Sequence, residues 1–357
     1  MILEEILLKL ENAYEQEMPF VVYRKPNDNI IKALFQNNDN LIFLEDYTQS
    51  GFVFAPFNNK DKTVLLPFDH CESFEFKIAG KQINILEKDN IKDQIDLSIK
   101  SHSDKQKHIE LVEKGINFIK KGRALKVVLS RKEEVVLQNP DIGKMFKELI
   151  YKYISTFVYV WFHPKVGLWI GASPESLLKV NDKQFETMAL AGTQIYKENT
   201  NVIWGEKELQ EQQFVTDFLI SKLNKKDLKI GKPFTLKAGN LLHICTKIEG
   251  KISDDINLED LIQSLHPTPA VCGLPKEAAK DYILKNEEYE REFYAGFLGE
   301  LNVNYNSDLF VNLRCMKIKD KIATLYIGGG ITADSIPDNE WEETVAKSII
   351  MKKVILV

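Results

Sequence analysis

The sequence predicts an α+β fold in which large antiparallel sheets are flanked by helices. Strand candidates fall in adjacent pairs more often than they alternate singly with helices, which favours antiparallel sheets over a doubly wound parallel one. Beyond residue 105 this series runs to the end with no Pro- or Ser-rich interruption. The 357 residues are 28% charged and 44% hydrophobic, an ordinary globular composition with ample apolar material for a core. That length allows two or three domains, or one large unit.

Ile2, Ile6, Leu10 and Ala13 fall on one helical face, and Glu4 and Glu5 occupy the place where a signal peptide needs positive charge. An amphipathic helix is therefore expected at the start, not a targeting segment. Short apolar segments bounded by turns at 40–45, 51–55 and 62–66 have the look of strands. The polar stretch 84–103 is the one soft boundary, separating an N-terminal helix and meander, 1–100, from a second region, 101–357, into whose fold the first is expected to pack. Ile109, Val112, Ile116 and Ile119 mark a helix over 108–121 that ends at Gly122. Strands are predicted at 124–130, 157–163, 166–171, 176–180, 185–191, 244–249, 309–317 and 322–327. Helices are predicted at 141–154, 204–223, 257–265, 275–284 and 339–353.

Several function classes drop out. With 47 Lys+Arg against 52 Asp+Glu the net charge is −5, which argues against nucleic acid as a partner and requires any bound anion to be held locally. The longest apolar run, Phe157 to Phe162, is far short of the roughly 18 residues of a membrane span. Cys71, Cys245, Cys272 and Cys315 form no CxxC and have the setting of reduced core thiols, so a cytoplasmic protein is expected. His70, His102, His108, His163, His243 and His266 make no HExxH and no Cys/His ligand spacing, and there is no G-x-S-x-G elbow.

A few residues break the local pattern. Lys126 sits in an apolar strand with Val128 and Ser130 on its face; it is either a solvated edge residue or a partly buried lysine whose lowered pKa suits a general base. Glu175 closes the turn Gly171-Ala-Ser-Pro-Glu175, and is either solvated or a carboxyl whose pKa an apolar wall raises, suiting a general acid. Glu208 and Glu211 stand three apart on one predicted helix, and Glu340 and Glu343 repeat the spacing on another, with Lys347 following. Each helix alone reads as solvated surface, but two matched E-x-x-E faces would suit Mg²⁺. Gly328-Gly-Gly330 is a turn, or a place where bare backbone meets a carboxylate. Arg314, within the predicted strand 309–317, has the bidentate fork for such a group, and Gly192-Thr193 ends another strand. Metal-assisted chemistry on a small carboxylate is what remains.

Lys126-Val-Val-Leu-Ser-Arg131, Gly171-Ala-Ser-Pro-Glu175, Leu190-Ala-Gly-Thr193, Lys207-Glu-x-x-Glu211, Leu265-His-Pro-Thr-Pro-Ala-Val-x-Gly273, Arg291-Glu-Phe-Tyr-x-Gly296, Ile327-Gly-Gly-Gly-Ile331 and Glu340-Trp-x-Glu-Thr344 follow one another in the order of the chorismate-utilising enzymes. From about residue 105 onward the chain resembles the isochorismate synthases of that family. The resemblance implies a buried site enclosed by the sheets, chorismate as substrate, Mg²⁺ as cofactor, and a monomer. It implies Lys126 as the base that activates water for attack at C2, and Glu175 as the acid that protonates the departing C4 hydroxyl. Glu211 and Glu343 would bind Mg²⁺ with support from Glu208 and Glu340. Gly192, Thr193 and Lys347 would assist at the ring carboxylate, Tyr294, Arg314 and Gly328 would hold the enolpyruvyl carboxylate, and His243 matches a pocket histidine. Aminating members carry Gln in place of Lys126, members with a lysine nucleophile carry it in place of Ala191, and salicylate-forming members tend to Thr in place of Ala270. The nearest alternatives are a salicylate synthase and, from another class, a non-catalytic carboxylate-binding protein. One departure from the family is Gln212, where many relatives have His.

Overall fold

Alternation within single strands sorts the side chains of one sheet between two cores. In Phe157–His163, Phe157, Tyr159 and Trp161 point into one apolar cluster while Val158, Val160 and Phe162 point into another, and all six are buried. Such a strand must lie inside a sheet covered on both faces. The structure, a computed structural model, describes residues 3–78, 101–138, 140–196, 202–223, 228–238, 241–252 and 257–355.

Among the described residues there are two nine-stranded sheets, antiparallel at every pairing. The first is built, edge to edge, from β14 (Gly273–Leu274), β6 (Lys126–Val136), β18 (Ile322–Ile331), β17 (Cys315–Lys319), β8 (Gly167–Ser173), β7 (Phe157–His163), β1 (Phe20–Arg24), β2 (Ile30–Gln36) and β5 (Cys71–Lys77). The second runs β11 (Lys229–Ile230), β13 (Leu241–Lys251), β10 (Gln184–Ile195), β9 (Ser176–Asn181), β16 (Asn306–Val311), β15 (Phe297–Val303), β3 (Gly51–Ala55) and β4 (Val64–Pro67), with β12 (Phe234–Ala238) also paired to β13. Between the sheets, Phe52 of β3 and Phe310 of β16 stack on Phe157 of β7, and Phe54 of β3 packs at a tilt against Trp161. The outer face of the first sheet is covered by α1 (Leu3–Glu15), α3 (Ile142–Lys152) and α7 (Pro337–Ile355). Helices α2 (Ser101–Lys120) and α6 (Lys276–Asn286) pack on β6, and α4 (Glu206–Lys222) lies on β10 with α5 (Leu258–Leu265) beside it.

The N-terminal strands are shared out, β1, β2 and β5 extending the first sheet from β7, and β3 and β4 extending the second from β15. Most of the expected linker, 84–100, lies outside the described residues, and α2 begins at Ser101, earlier than its apolar spacing signalled. Residues 40–45 form only a single bridge, Phe43 to Val64, in place of the expected strand. Strand β15 was hidden by its polar residue: Glu300 interrupts the apolar run, yet it is buried, with Lys25 at 2.8 Å, Lys32 at 2.9 Å and the Tyr23 hydroxyl as partners.

The expected strand 309–317 is two strands in different sheets. Asn312 is fully buried, takes a hydrogen bond from the Tyr159 hydroxyl at 2.6 Å and donates to the Phe293 carbonyl at 2.9 Å, so the chain leaves β16 there and enters β17. Arg314 lies in this crossing, with φ of 48°, outside any strand.

One edge of the first sheet is fixed by a buried ion pair. The Arg291 guanidinium donates to both carboxylate oxygens of Glu287 (2.6 and 2.8 Å), to the Val128 carbonyl of β6 (2.7 Å) and to the Val271 carbonyl (2.9 Å). Glu287 in turn accepts from the backbone N–H and the hydroxyl of Ser130, each at 2.8 Å. Arg291→Met strands the Glu287 charge in the interior and is expected to lower the unfolding free energy by about 3–5 kcal/mol. Chemical denaturation measures this; a loss well under 1 kcal/mol would mean the pair does not hold this edge.

Candidate active site

Two adjacent crossings between the sheets place two charged side chains in the interior. The chain passes from β8 to β9 at Pro174-Glu175 and returns from β16 to β17 at Asn312–Arg314. The crossings are stitched together, since Val311 donates its N–H to the Glu175 carbonyl (3.0 Å) and Ala172 to the Arg314 carbonyl (3.1 Å). A neighbouring cavity has about 880 Å³ of free space, partly open to solvent. Twelve of the fourteen residues singled out from the sequence line it, namely Lys126, Glu175, Gly192, Thr193, Glu211, His243, Ala270, Tyr294, Arg314, Gly328, Glu343 and Lys347.

Lys126 opens β6 at the edge of the sheet, where β14 adds only two residues beyond it. It is nevertheless 2% exposed, so the solvated reading fails; its ammonium stands 3.6 Å from Glu211 Oε2. Glu175 is equally enclosed. Burial pushes its carboxyl up to about 8, against smaller opposing effects of a hydrogen bond from Thr268 at 3.3 Å and of the Lys126 charge. A carboxyl that keeps its proton near neutrality and a buried lysine on another wall of the same cavity are groups that can serve as an acid and a base.

The Arg314 side of the cavity is built around His243 of β13. Its Nδ1 lies 2.9 Å from the Gly192 carbonyl and its Nε2 2.7 Å from Arg314 Nη2. These partners assign the proton to Nδ1, so Nε2 accepts from the guanidinium and aims it. Burial and the Arg314 charge lower the imidazole to about 3, which keeps it neutral in this role. Gly192 has φ of 71° and sits at the bulge where β10 slips register against β13, turning its carbonyl toward His243.

The glycine triplet is not a turn. Gly328, Gly329 and Gly330 continue β18 opposite Ser130, Leu129 and Val128 of β6. A Cβ at Gly330 would meet the Lys126 side chain at 2.7 Å, so a bare strand is what admits this lysine. Tyr326, Gly328 and Gly330 share one face of β18 by alternation, which is the signal that would have added Tyr326, another cavity residue, to the list. Leu313 and Met351 also line the cavity, as apolar residues that lie in none of the motifs. Gln212, the family departure, is buried and donates to Thr216 (2.8 Å) and to Thr246 of β13 (2.6 Å), tying α4 to the second sheet.

The four predicted metal ligands are not equivalent. A Cβ at Gly329 would lie 3.6 Å from Glu340 Oε2 and 3.8 Å from Glu343 Oε1, so these two carboxylates approach one glycine, while a Cβ at Gly330, on the other face of the strand by alternation, would lie 3.5 Å from Glu211 Oε2. Glu340 is 2% exposed and its Oε2 has no hydrogen-bond partner, the kind of orphaned oxygen that a hard cation satisfies. Its Oε1 takes a 2.8 Å ion pair from Lys207, a residue sequence reasoning passed over, and Glu343 takes one of 2.7 Å from Lys347. Burial raises Glu340, whereas at Glu343 burial is outweighed by Lys347, which leaves that carboxyl low. Among the described residues no three acidic or imidazole groups already stand in ligating geometry, but the oxygen donors, the orphaned atom and the glycine backbone fit Mg²⁺. Glu208 does not reach the cavity wall; its carboxyl turns back to the start of α4, where a Cβ on Gly205 would meet it at 2.6 Å.

Residues 62–356 match the family model described as chorismate binding enzyme. Isochorismate synthase EntC of Escherichia coli (strain K12) is 31% identical over 244 residues, which is 64% of this chain and 62% of that protein. Anthranilate synthase component 1 of Acetivibrio thermocellus is 30% identical over 276 residues, 73% of this chain and 55% of that one. The chain thus aligns with less than two thirds of the length of these curated relatives. A crystal structure titled as the putative 2,3-dihydroxybenzoate-specific isochorismate synthase DhbC from Bacillus anthracis superposes with a TM-score of 0.79 at 23% identity, covering 99% of each chain, and shows that the fold is shared.

The raised carboxyl has a consequence for stability. Folded, Glu175 keeps its proton up to about pH 8; unfolded, it loses it near 4.5. Between those values the folded state binds one more proton, so the contribution of this group is full below the lower value and falls as pH rises, by about 1.4 kcal/mol per unit. Glu175→Gln should therefore gain stability relative to wild type as pH rises from 4.5 to 8, in denaturation curves taken across that window. A difference that stays flat with pH would contradict the buried, protonated carboxyl.

Proposed function

The chain belongs to the chorismate-binding enzyme family, and from that premise we propose that it is a cytoplasmic, Mg²⁺-dependent isochorismate synthase acting on chorismate. The observation that carries this reading is that a buried lysine of β6 and a buried, protonated glutamate of the β8–β9 crossing open onto one cavity. Replacing the C4 hydroxyl by water attacking at C2 needs a base for the water and an acid for the leaving group. Lys126, as the base, takes a proton from the attacking water as the C2–O bond forms. Glu175 delivers its proton as the C4–O bond breaks, so that the hydroxyl leaves as water and the ring double bonds shift.

The remaining residues bind and orient. Arg314, aimed by His243, meets the enolpyruvyl carboxylate together with Tyr294 and the backbone at Gly328. The Gly192-Thr193 bulge and Lys347 lie toward the ring carboxylate. Mg²⁺ supplies charge neutralisation of that carboxylate when bound, and Glu211, Glu340 and Glu343 would hold it. Lys126 where aminating relatives carry Gln favours water over ammonia as nucleophile, and Ala270 on the cavity wall favours release of isochorismate without pyruvate elimination.

Purified protein given chorismate and Mg²⁺ should accumulate isochorismate in chromatographic product analysis; salicylate with pyruvate, or anthranilate when ammonia is supplied, would overturn the assignment. Lys126→Ala and Glu175→Gln should each lower kcat by roughly 10²–10⁴-fold. Glu211→Gln and Glu343→Gln should raise the Mg²⁺ concentration for half-activation, and should weaken Mg²⁺ binding in calorimetry. Unchanged binding in both variants would remove them as ligands.

A further inference from the structure

Glu175 is the acid of the proposed reaction, and a carboxyl has two oxygens of which only one can carry the proton toward the leaving group. The residue that distinguishes them is Thr268, in the loop between α5 and β14. It is 4% exposed, and its hydroxyl donates to Glu175 Oε1 at 3.3 Å. That bond is at the long end for a hydroxyl donor, as such contacts often are before substrate closes the site.

The loop that carries Thr268 is held on several sides. His266 bonds the Pro56 carbonyl through Nε2 at 3.1 Å, Val271 and Cys272 donate their N–H groups to the Thr268 carbonyl at 3.1 and 2.9 Å, and Arg291 grips the Val271 carbonyl. The Glu175 backbone is fixed from its own side, with its N–H to the Ser173 hydroxyl and its carbonyl to Val311. Donor and acceptor thus sit on two rigid pieces of backbone. The titratable groups facing the carboxyl are Lys126 from β6 and Cys245 from β13, whose thiol burial pushes up to about 12 and so keeps neutral.

We propose that Thr268 is a positioning residue for the acid: by donating to Oε1 it confines the acidic proton of Glu175 to Oε2, the oxygen left to serve the departing hydroxyl. A carboxyl oxygen that accepts this hydrogen bond is the carbonyl-type oxygen of the neutral acid, so the proton resides on the other. The same bond stabilises the carboxylate left behind when the proton has been given up. Removing it slows proton delivery and makes the acid weaker.

This inference rests on Glu175 being the acid, and the test separates the two. Thr268→Val removes the donor at nearly constant volume, Thr268→Ser keeps it, and Thr268→Ala serves if the valine variant does not fold. With chorismate and Mg²⁺, the alkaline limb of the kcat/KM profile, where activity falls as Glu175 loses its proton, should move up by about one pH unit in the valine or alanine variant. In these variants kcat should fall roughly tenfold with KM little changed, and Thr268→Ser should restore both limb and rate. An alkaline limb that stays in place in the valine and alanine variants, or that moves equally in the serine variant, overturns the role of Thr268. Full turnover by Glu175→Gln would instead overturn the acid assignment itself.

Discussion

The Arg291–Glu287 ion pair is the constraint on which the geometry of the cavity depends. It is buried on both sides, at 2% and 1% side-chain exposure, and its hydrogen bonds lead outward to two pieces of backbone that carry different parts of the cavity wall. One is β6, through the Val128 carbonyl and Ser130, and β6 carries Lys126. The other is the Val271 carbonyl, in the loop that carries Thr268 and Ala270. An ion pair in such a place is weak evidence for net stability, because two charges must be desolvated to form it. What it supplies is register. Lys126, the Ala270 wall and the Thr268 donor to Glu175 are referred to one guanidinium plane that also stacks over Phe57.

The other half of the site comes from topology. Antiparallel sheets leave the chain free to change layers at a bend, and here it does so twice in adjacent places, once outward at Glu175 and once back at Arg314. A bend between sheets exposes its side chains to the space enclosed by the layers, where solvent is scarce. That explains why the carboxyl holds its proton and why the guanidinium needs His243 to orient it. Charged groups held in such a space are costly until a partner of opposite charge arrives. On the proposed reading a dianionic substrate would supply negative charge to Arg314 and Lys347, which is how a chain of net charge −5 would hold an anion.

Much of this was legible in the sequence because the relevant residues violate local pattern. Lys126 in an apolar strand, Glu175 in a turn between strands and the paired E-x-x-E helices all stand out against the rule that charge goes to the surface. The motif order then assigned them to one cavity, and all but Glu208 and Glu340 line it. The misses have a common physical origin. Glu300 hid a central strand because its burial depends on Lys25 and Lys32, distant in sequence. Asn312 splits an apparently continuous strand because its amide partners, Tyr159 and Phe293, come from elsewhere. Lys207 and Thr268 lay within quoted motifs, yet their roles appear only when α7 and the Glu175 crossing are brought beside them. Pattern within a segment reports which face is buried; which polar groups meet there is a tertiary fact.

The claim at the centre is that a lysine-activated water replaces the C4 hydroxyl, which an acid from another wall of the cavity expels. Following oxygen through one turnover tests it most directly. With chorismate converted in oxygen-18 water and the product examined by mass spectrometry, isochorismate should carry one labelled oxygen at C2, and the C4 oxygen should leave as unlabelled water. A product that retains every oxygen of the chorismate would mean that the hydroxyl migrates within the substrate, and the roles of Lys126 and Glu175 derived from the cavity would not stand.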